Sequence, residues 1–155
     1  MSGGLIVRPA EPADAHALAA IEVRAWRHGY AGFLDEWRLA ELDVAGAEKA
    51  WRERLDVREG SSAPWIAAAS GRIAGVAAFG ASRDADAEAG TGELFALYVD
   101  PAAQGAGLGS LLLERAIGSL RDAGCAAATL WVFAENGLAR RFCERRGWSQ
   151  CCVPR

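Results

Sequence analysis

The chain has 155 residues, 52% hydrophobic and 24% charged, which suits one domain with a buried core and the composition of an ordinary globular protein. Its net charge of −3 supplies no basic excess for a nucleic acid or an anionic membrane, and its apolar runs are too short to span a bilayer. Met1-Ser2-Gly3-Gly4 lacks the charged start and apolar core of a secretory signal, so a cytoplasmic protein is expected.

Leu5 to Arg8 reads as a first strand, followed by a turn and helix start over Pro9 to Asp14. Leu18, Ile21, Ala25 and Trp26 then mark one face of a helix running to about Tyr30. Gly32 breaks it, and Asp35 is placed to cap a short helix carrying Trp37, Leu39 and Leu42. Ala45 to Val57 is helical again, with Trp51 and Leu55 on one face. Pro64 to Ala69 and Ile73 to Phe79 flank Ser70-Gly71-Arg72 as a hairpin. Arg83 to Gly90 is a polar, acidic loop expected to be mobile, and Gly92 to Val99 is a strand. A helix follows with Leu108, Leu112, Ala116, Ile117 and Leu120 inward, ended by Gly124. Ala128 to Phe133 is a strand. Asn136 opens a helix with Ala139, Phe142 and Cys143 inward, Gly147 closes it, and Trp148 to Val153 is a last short strand. The order implies a single α/β domain over residues 1–155, with a central mixed sheet flanked by helices.

Gln104-Gly105-Ala106-Gly107-Leu108-Gly109 lies between the strand ending at Val99 and the helix beginning at Ser110. Small residues let backbone approach a ligand closely, and the unpaired N–H groups of a helix's first turn favour an anion. A pyrophosphate fits. A dinucleotide fingerprint would want glycine at Ser110, and a phosphate-binding Walker loop needs a lysine, while the one lysine is the distant Lys49. A nucleotide-binding module remains the weaker alternative. The four cysteines, Cys125, Cys143, Cys151 and Cys152, match no common zinc spacing, so no metal is expected.

The pattern Gln/Arg-x-x-Gly-x-Gly/Ala, filled by Gln104, Gly107 and Gly109, resembles the acyl-CoA loop of the GNAT superfamily of N-acetyltransferases. Asn136 to Trp148 resembles a second pattern of that family, Asn-x-x-Ala-x-x-Phe-Tyr-x-x-x-Gly-Phe. The element order agrees along the chain. The resemblance implies acetyl transfer from acetyl-CoA to a primary amine of a small molecule or peptide by direct attack; a non-catalytic acyl-CoA-binding domain is the alternative. It implies a coenzyme site formed by Leu97, Tyr98, Val99, Gln104, Gly105, Ala106, Gly107, Leu108, Gly109, Ser110 and Asn136, with backbone N–H groups near Leu97 to Val99 as the oxyanion site. Glu93 matches the family's general base; a carboxylate in partly apolar surroundings is a stronger base than one in water. The family's acid tyrosine falls at Cys143, so the departing thiolate would be protonated by that thiol if it reaches, by a water or by another tyrosine, Tyr98, or would leave without an acid. Tyr30, Phe33 and Trp37 would face the acceptor. The family usually continues for two strands beyond this point, so a shortened C-terminal part of the sheet is expected, with a homodimer covering the edge it leaves.

Overall fold

The computed structural model describes residues 4–29, 43–56, 63–132 and 136–149. Its strands are β1 (Leu5–Pro9), β2 (Trp65–Ala69), β3 (Arg72–Ala81), β4 (Thr91–Val99) and β5 (Ala127–Leu130). They form one sheet in chain order. The first three pairings are antiparallel and β4–β5 is parallel. The helices are α1 (Ala15–Gly29), α2 (Val44–Asp56), α3 (Leu108–Asp122) and α4 (Gly137–Glu144). The mixed α/β architecture expected from the sequence is present.

Local chemistry sets the element ends. Asp14 accepts from the Glu11 N–H at 2.7 Å and from Arg8 at 2.8 and 3.0 Å, fixing the turn that starts α1. Ser70 and Gly71 both have positive φ, 53° and 79°, the conformation that matches the twist of a two-residue hairpin. The Asn136 side chain accepts from the Ala139 N–H at 3.1 Å and caps α4.

Each face of the sheet carries its own core. On one face Ala67, Ala77, Phe79 and Leu94 meet Leu108, Leu112, Leu113, Ala116 and Leu120 of α3. Phe142 of α4 packs against this core. On the other, Ile66, Val76 and Ala78 meet Leu18 and Ala19 of α1 and Trp51 and Leu55 of α2. A Cβ on Gly75 would lie 2.8 Å from Leu112 and 3.1 Å from the Tyr98 carbonyl, so glycine lets α3 settle onto β3.

One irregularity governs the site. The β3–β4 register shifts between Ala78, opposite Ala96, and Phe79, opposite Leu94. Phe95 is therefore an extra residue in β4. Phe95, Ala96 and Tyr98 pack toward α1 and α2, whereas Leu94, Leu97 and Val99 pack toward α3.

Two expected boundaries move. The strand read as Ala128 to Phe133 is Ala127–Leu130, because Trp131 leaves the ladder and its indole donates to both carboxylate oxygens of Asp84 at 3.1 Å; Phe133 lies outside the described residues. Trp148 and Ser149 are not strand: the Trp148 N–H donates to the Cys143 carbonyl at 3.1 Å, which keeps it in the closing turn of α4 beside Gly147, at φ 89°. Gln150 to Val153 lie outside the described residues, as does the short helix expected around Trp37.

Candidate active site

The glycine turn sits where strand and helix meet. Asp100 ends β4, donates its N–H to the Ala74 carbonyl at 2.7 Å, and is held by Arg24 of α1 at 2.7 Å. Burial raises the Asp100 carboxyl, but hydrogen bonds from Ala102 and Arg24 outweigh it and leave it below the usual range. Pro101–Ala103 make one short 3-10 turn, and Gln104 leads into Gly105 and Gly107, at φ 88° and 81°. Gly107 is the N-cap of α3 and its carbonyl accepts from Leu111 at 3.2 Å. The N–H groups of Leu108, Gly109 and Ser110 follow as the unpaired first turn, with the helix dipole behind them. Gln104, Gly105, Ala106 and Gly107 are exposed, while Leu108 is buried and pins the helix to the core. The structure thus brings the expected loop residues together in one anion-favouring turn.

Beside this turn the sheet opens. Thr91 to Leu94 of β4 pair with Ala127 to Leu130 of β5, and the pairing stops there. From Phe95 to Val99 the edge of β4 facing away from β3 has no strand partner among the described residues. Leu97, Tyr98 and Val99 line this open edge. Asn136 and Cys143 lie on α4, which follows β5. The Asn136 carbonyl is already engaged at its helix cap. Burial pushes the Cys143 thiol up, ahead of an opposing effect from Arg146, so it stays protonated at neutral pH.

Glu93 is 3% exposed and lies on the α1–α2 face with Phe95 and Tyr98. Its surroundings are not simply apolar: Oε1 accepts from the Arg83 N–H at 3.0 Å and Oε2 from the Arg83 guanidinium at 3.3 Å. The hairpin between β3 and β4 produces this, since Gly80 and Ala81 lie opposite Glu93 and Gly92 and fold Arg83 back over the carboxylate. Tyr98 accepts from the Trp26 indole at 3.1 Å. His16 is exposed and paired to Glu48 at 2.6 Å, away from this group. Tyr30, Phe33 and Trp37 lie outside the described residues.

Two arginines escaped the sequence reading. Arg83 sat in a segment read only as a polar loop. Arg146 stacks 3.7 Å from the Phe142 ring, donates to the Phe142 carbonyl at 2.9 Å, and donates to Ser110 Oγ on the first turn of α3. The second motif contains Arg146 at an unspecified position, so only the contact between α4 and α3 reveals it. Among the described residues no three His, Cys, Asp or Glu side chains come together as metal ligands, and no helix is long and apolar enough to cross a membrane.

The chain matches the model of the acetyltransferase (GNAT) family over residues 17–148. It is 32% identical over 143 residues to Probable N-acetyltransferase Rv2775 of Mycobacterium tuberculosis, covering 90% of this chain and 77% of that protein. A mycothiol acetyltransferase of Beutenbergia cavernae is 44% identical over 66 residues, 43% of this chain and 22% of that protein. Among solved structures, the PaiA N-acetyltransferase of Thermoplasma acidophilum in complex with coenzyme A superposes with a TM-score of 0.75 at 18% identity, covering 94% of this chain and 90% of that one. Fold, matched span and sequence identity agree: the chain belongs to the acetyltransferase (GNAT) family and is an enzyme of that class.

Proposed function

We propose that this acetyltransferase holds acetyl-CoA between the glycine turn and the open edge of β4 and passes the acetyl group directly to a primary amine. The observation that carries this reading is the parting of β4 from β5 after Leu94, beside the N-terminus of α3. Backbone N–H groups of Gly105 to Ser110 would take the pyrophosphate. The unpaired groups of Leu97 to Val99 would take the pantetheine amides, and an N–H there would face the thioester oxygen as it becomes an oxyanion. Asn136 would approach the same arm through its amide nitrogen.

The amine must first lose a proton, and Glu93 accepts it, through a water. The nitrogen then attacks the thioester carbon, the C–N bond forms, and collapse of the tetrahedral intermediate breaks the C–S bond. Tyr98 and Cys143 are the proposed donors to the departing thiolate. Tyr30, Phe33 and Trp37 are the proposed acceptor wall. A cytoplasmic enzyme acting as one domain over residues 1–155, with a homodimer covering the outer edge of β5, completes the proposal; sedimentation at micromolar concentration would return twice the chain mass.

The test is a thermal-shift titration with acetyl-CoA, with NAD as control, followed by measurement of free thiol released in the presence of amines. A saturable rise with acetyl-CoA alone, then amine-dependent thiol release, is expected. No shift with acetyl-CoA would overturn the coenzyme site.

A further inference from the structure

The charged groups around Phe95, two residues from Glu93 on the same face of β4, narrow the acceptor. Two guanidinium groups converge on one ring: Arg83 lies 4.0 Å from the centroid of Phe95 and Arg54 5.6 Å from it. Arg54 also lies 5.3 Å from the Trp51 ring. Among the described residues Arg54 makes these ring contacts and no hydrogen bond or ion pair. A guanidinium against a ring keeps its N–H donors available for a planar oxyanion. Burial, then the neighbouring charge of Arg83, pull the Arg54 pKa below its ordinary value, so the two cations act on each other.

Two carboxyl groups share the neighbourhood. Glu93 is hydrogen-bonded to Arg83, and Glu22 of α1 is close enough to Arg54 to act on its charge. Burial pushes the Glu22 carboxyl up; with it ionised, the two cations and two carboxylates balance before any acceptor arrives. A zwitterion preserves that balance, whereas a simple alkylamine or a dianionic phosphate does not.

Resting on the transfer reading above, we infer that the acceptor is an amine that also carries a carboxylate, an amino-acid-type substrate whose carboxylate is bound by Arg54 and Arg83. The exchange has a consequence for the base. The Arg83 side chain is 61% exposed and its contact with Glu93 is 3.3 Å, longer than the 3.0 Å contact from its own backbone. A substrate carboxylate that draws the guanidinium away leaves Glu93 held by the backbone N–H alone, free to take the ammonium proton through a water. Binding of the anionic end thus releases the base for the cationic end.

The experiment measures acetyl transfer to α-amino acids, β-alanine and 4-aminobutyrate, each beside its carboxamide, with wild type, Arg54→Gln and Arg83→Gln. The carboxamides of α-amino acids have the less basic amine, so chemistry alone favours them. The inference expects the free acid of at least one pair to exceed its carboxamide by about tenfold or more in kcat/KM. It expects Arg54→Gln to erase that ratio through KM, with the acetyl-CoA thermal shift intact. Carboxamides that react as well as every acid, or a ratio that survives in both variants, would overturn it. Either result with a normal acetyl-CoA shift leaves the transfer reading standing, and absence of that shift removes the transfer reading itself.

Discussion

The two faces of β4 differ in kind. Toward α3 it presents Leu94, Leu97 and Val99 to an aliphatic core that includes the fully buried Leu112. Toward α1 and α2 it presents Glu93, Phe95 and Tyr98, surrounded by Trp26, Arg54 and Arg83. One face holds the strand in place with dispersion and burial; the other carries groups that can move protons and bind ions. A single central strand does both because its side chains alternate, so chemistry on one side is braced by packing on the other.

The sharpest test of this division is a pair of substitutions, one per face. Leu112→Ala removes a fully buried side chain from the packing face and should cost about 3–5 kcal/mol in denaturant unfolding, with activity per folded molecule largely kept. Glu93→Gln should do the opposite, lowering kcat by about 100-fold or more with acetyl-CoA binding kept. If Glu93→Gln left kcat within a fewfold of wild type, the polar face would be structural too. The proton donors come next. Tyr98 shares the face of Glu93, so Tyr98→Phe should lower kcat by about tenfold, and Cys143→Ala by roughly threefold or less; single-turnover rates of thiol release separate them.

A separate test concerns a carboxylate that holds rather than reacts. Hydrogen bonding from Arg8, against the cost of burial and with help from the Glu11 N–H, keeps the Asp14 carboxyl below its usual range. A carboxyl depressed in the folded state contributes stability above its unfolded value of about 3.9 and loses it as pH falls through the folded value. Asp14→Asn should therefore cost about 1–2 kcal/mol at neutral pH. It should also flatten the acid limb of the stability–pH curve, read by urea unfolding across that range.

Much of this was legible in one dimension. Helical periodicity placed α1, α2 and α3, Gly124 closes α3 as expected, and the hairpin turn at Ser70-Gly71 lies where its residue types put it. The glycine turn, the proposed coenzyme loop, was readable as a turn because its chemistry is local: strand, small residues and helix start are contiguous from Val99 to Ser110. Arg83 and Arg54 were not, because their significance comes from a ring and a carboxylate brought to them by strand pairing and by the docking of α2. Trp148 was misread as strand because an aromatic residue after glycine suits both a strand start and a helix-closing turn, and only the hydrogen bond to Cys143 decides between them. Tyr30, Phe33 and Trp37 fall outside the described residues, so the acceptor wall rests on resemblance.

The extra residue at Phe95 is a half-period phase slip in an otherwise two-fold wave. Glu93 and Tyr98 are an odd number of positions apart, and a regular strand would send them to opposite sides of the sheet. The slip returns them to the same side, so the proposed base and one proposed acid share a face of the sheet only because β4 is one residue out of step with β3. Removing a residue from that stretch would leave both Glu93 and Tyr98 in the sequence and separate them by the thickness of the sheet.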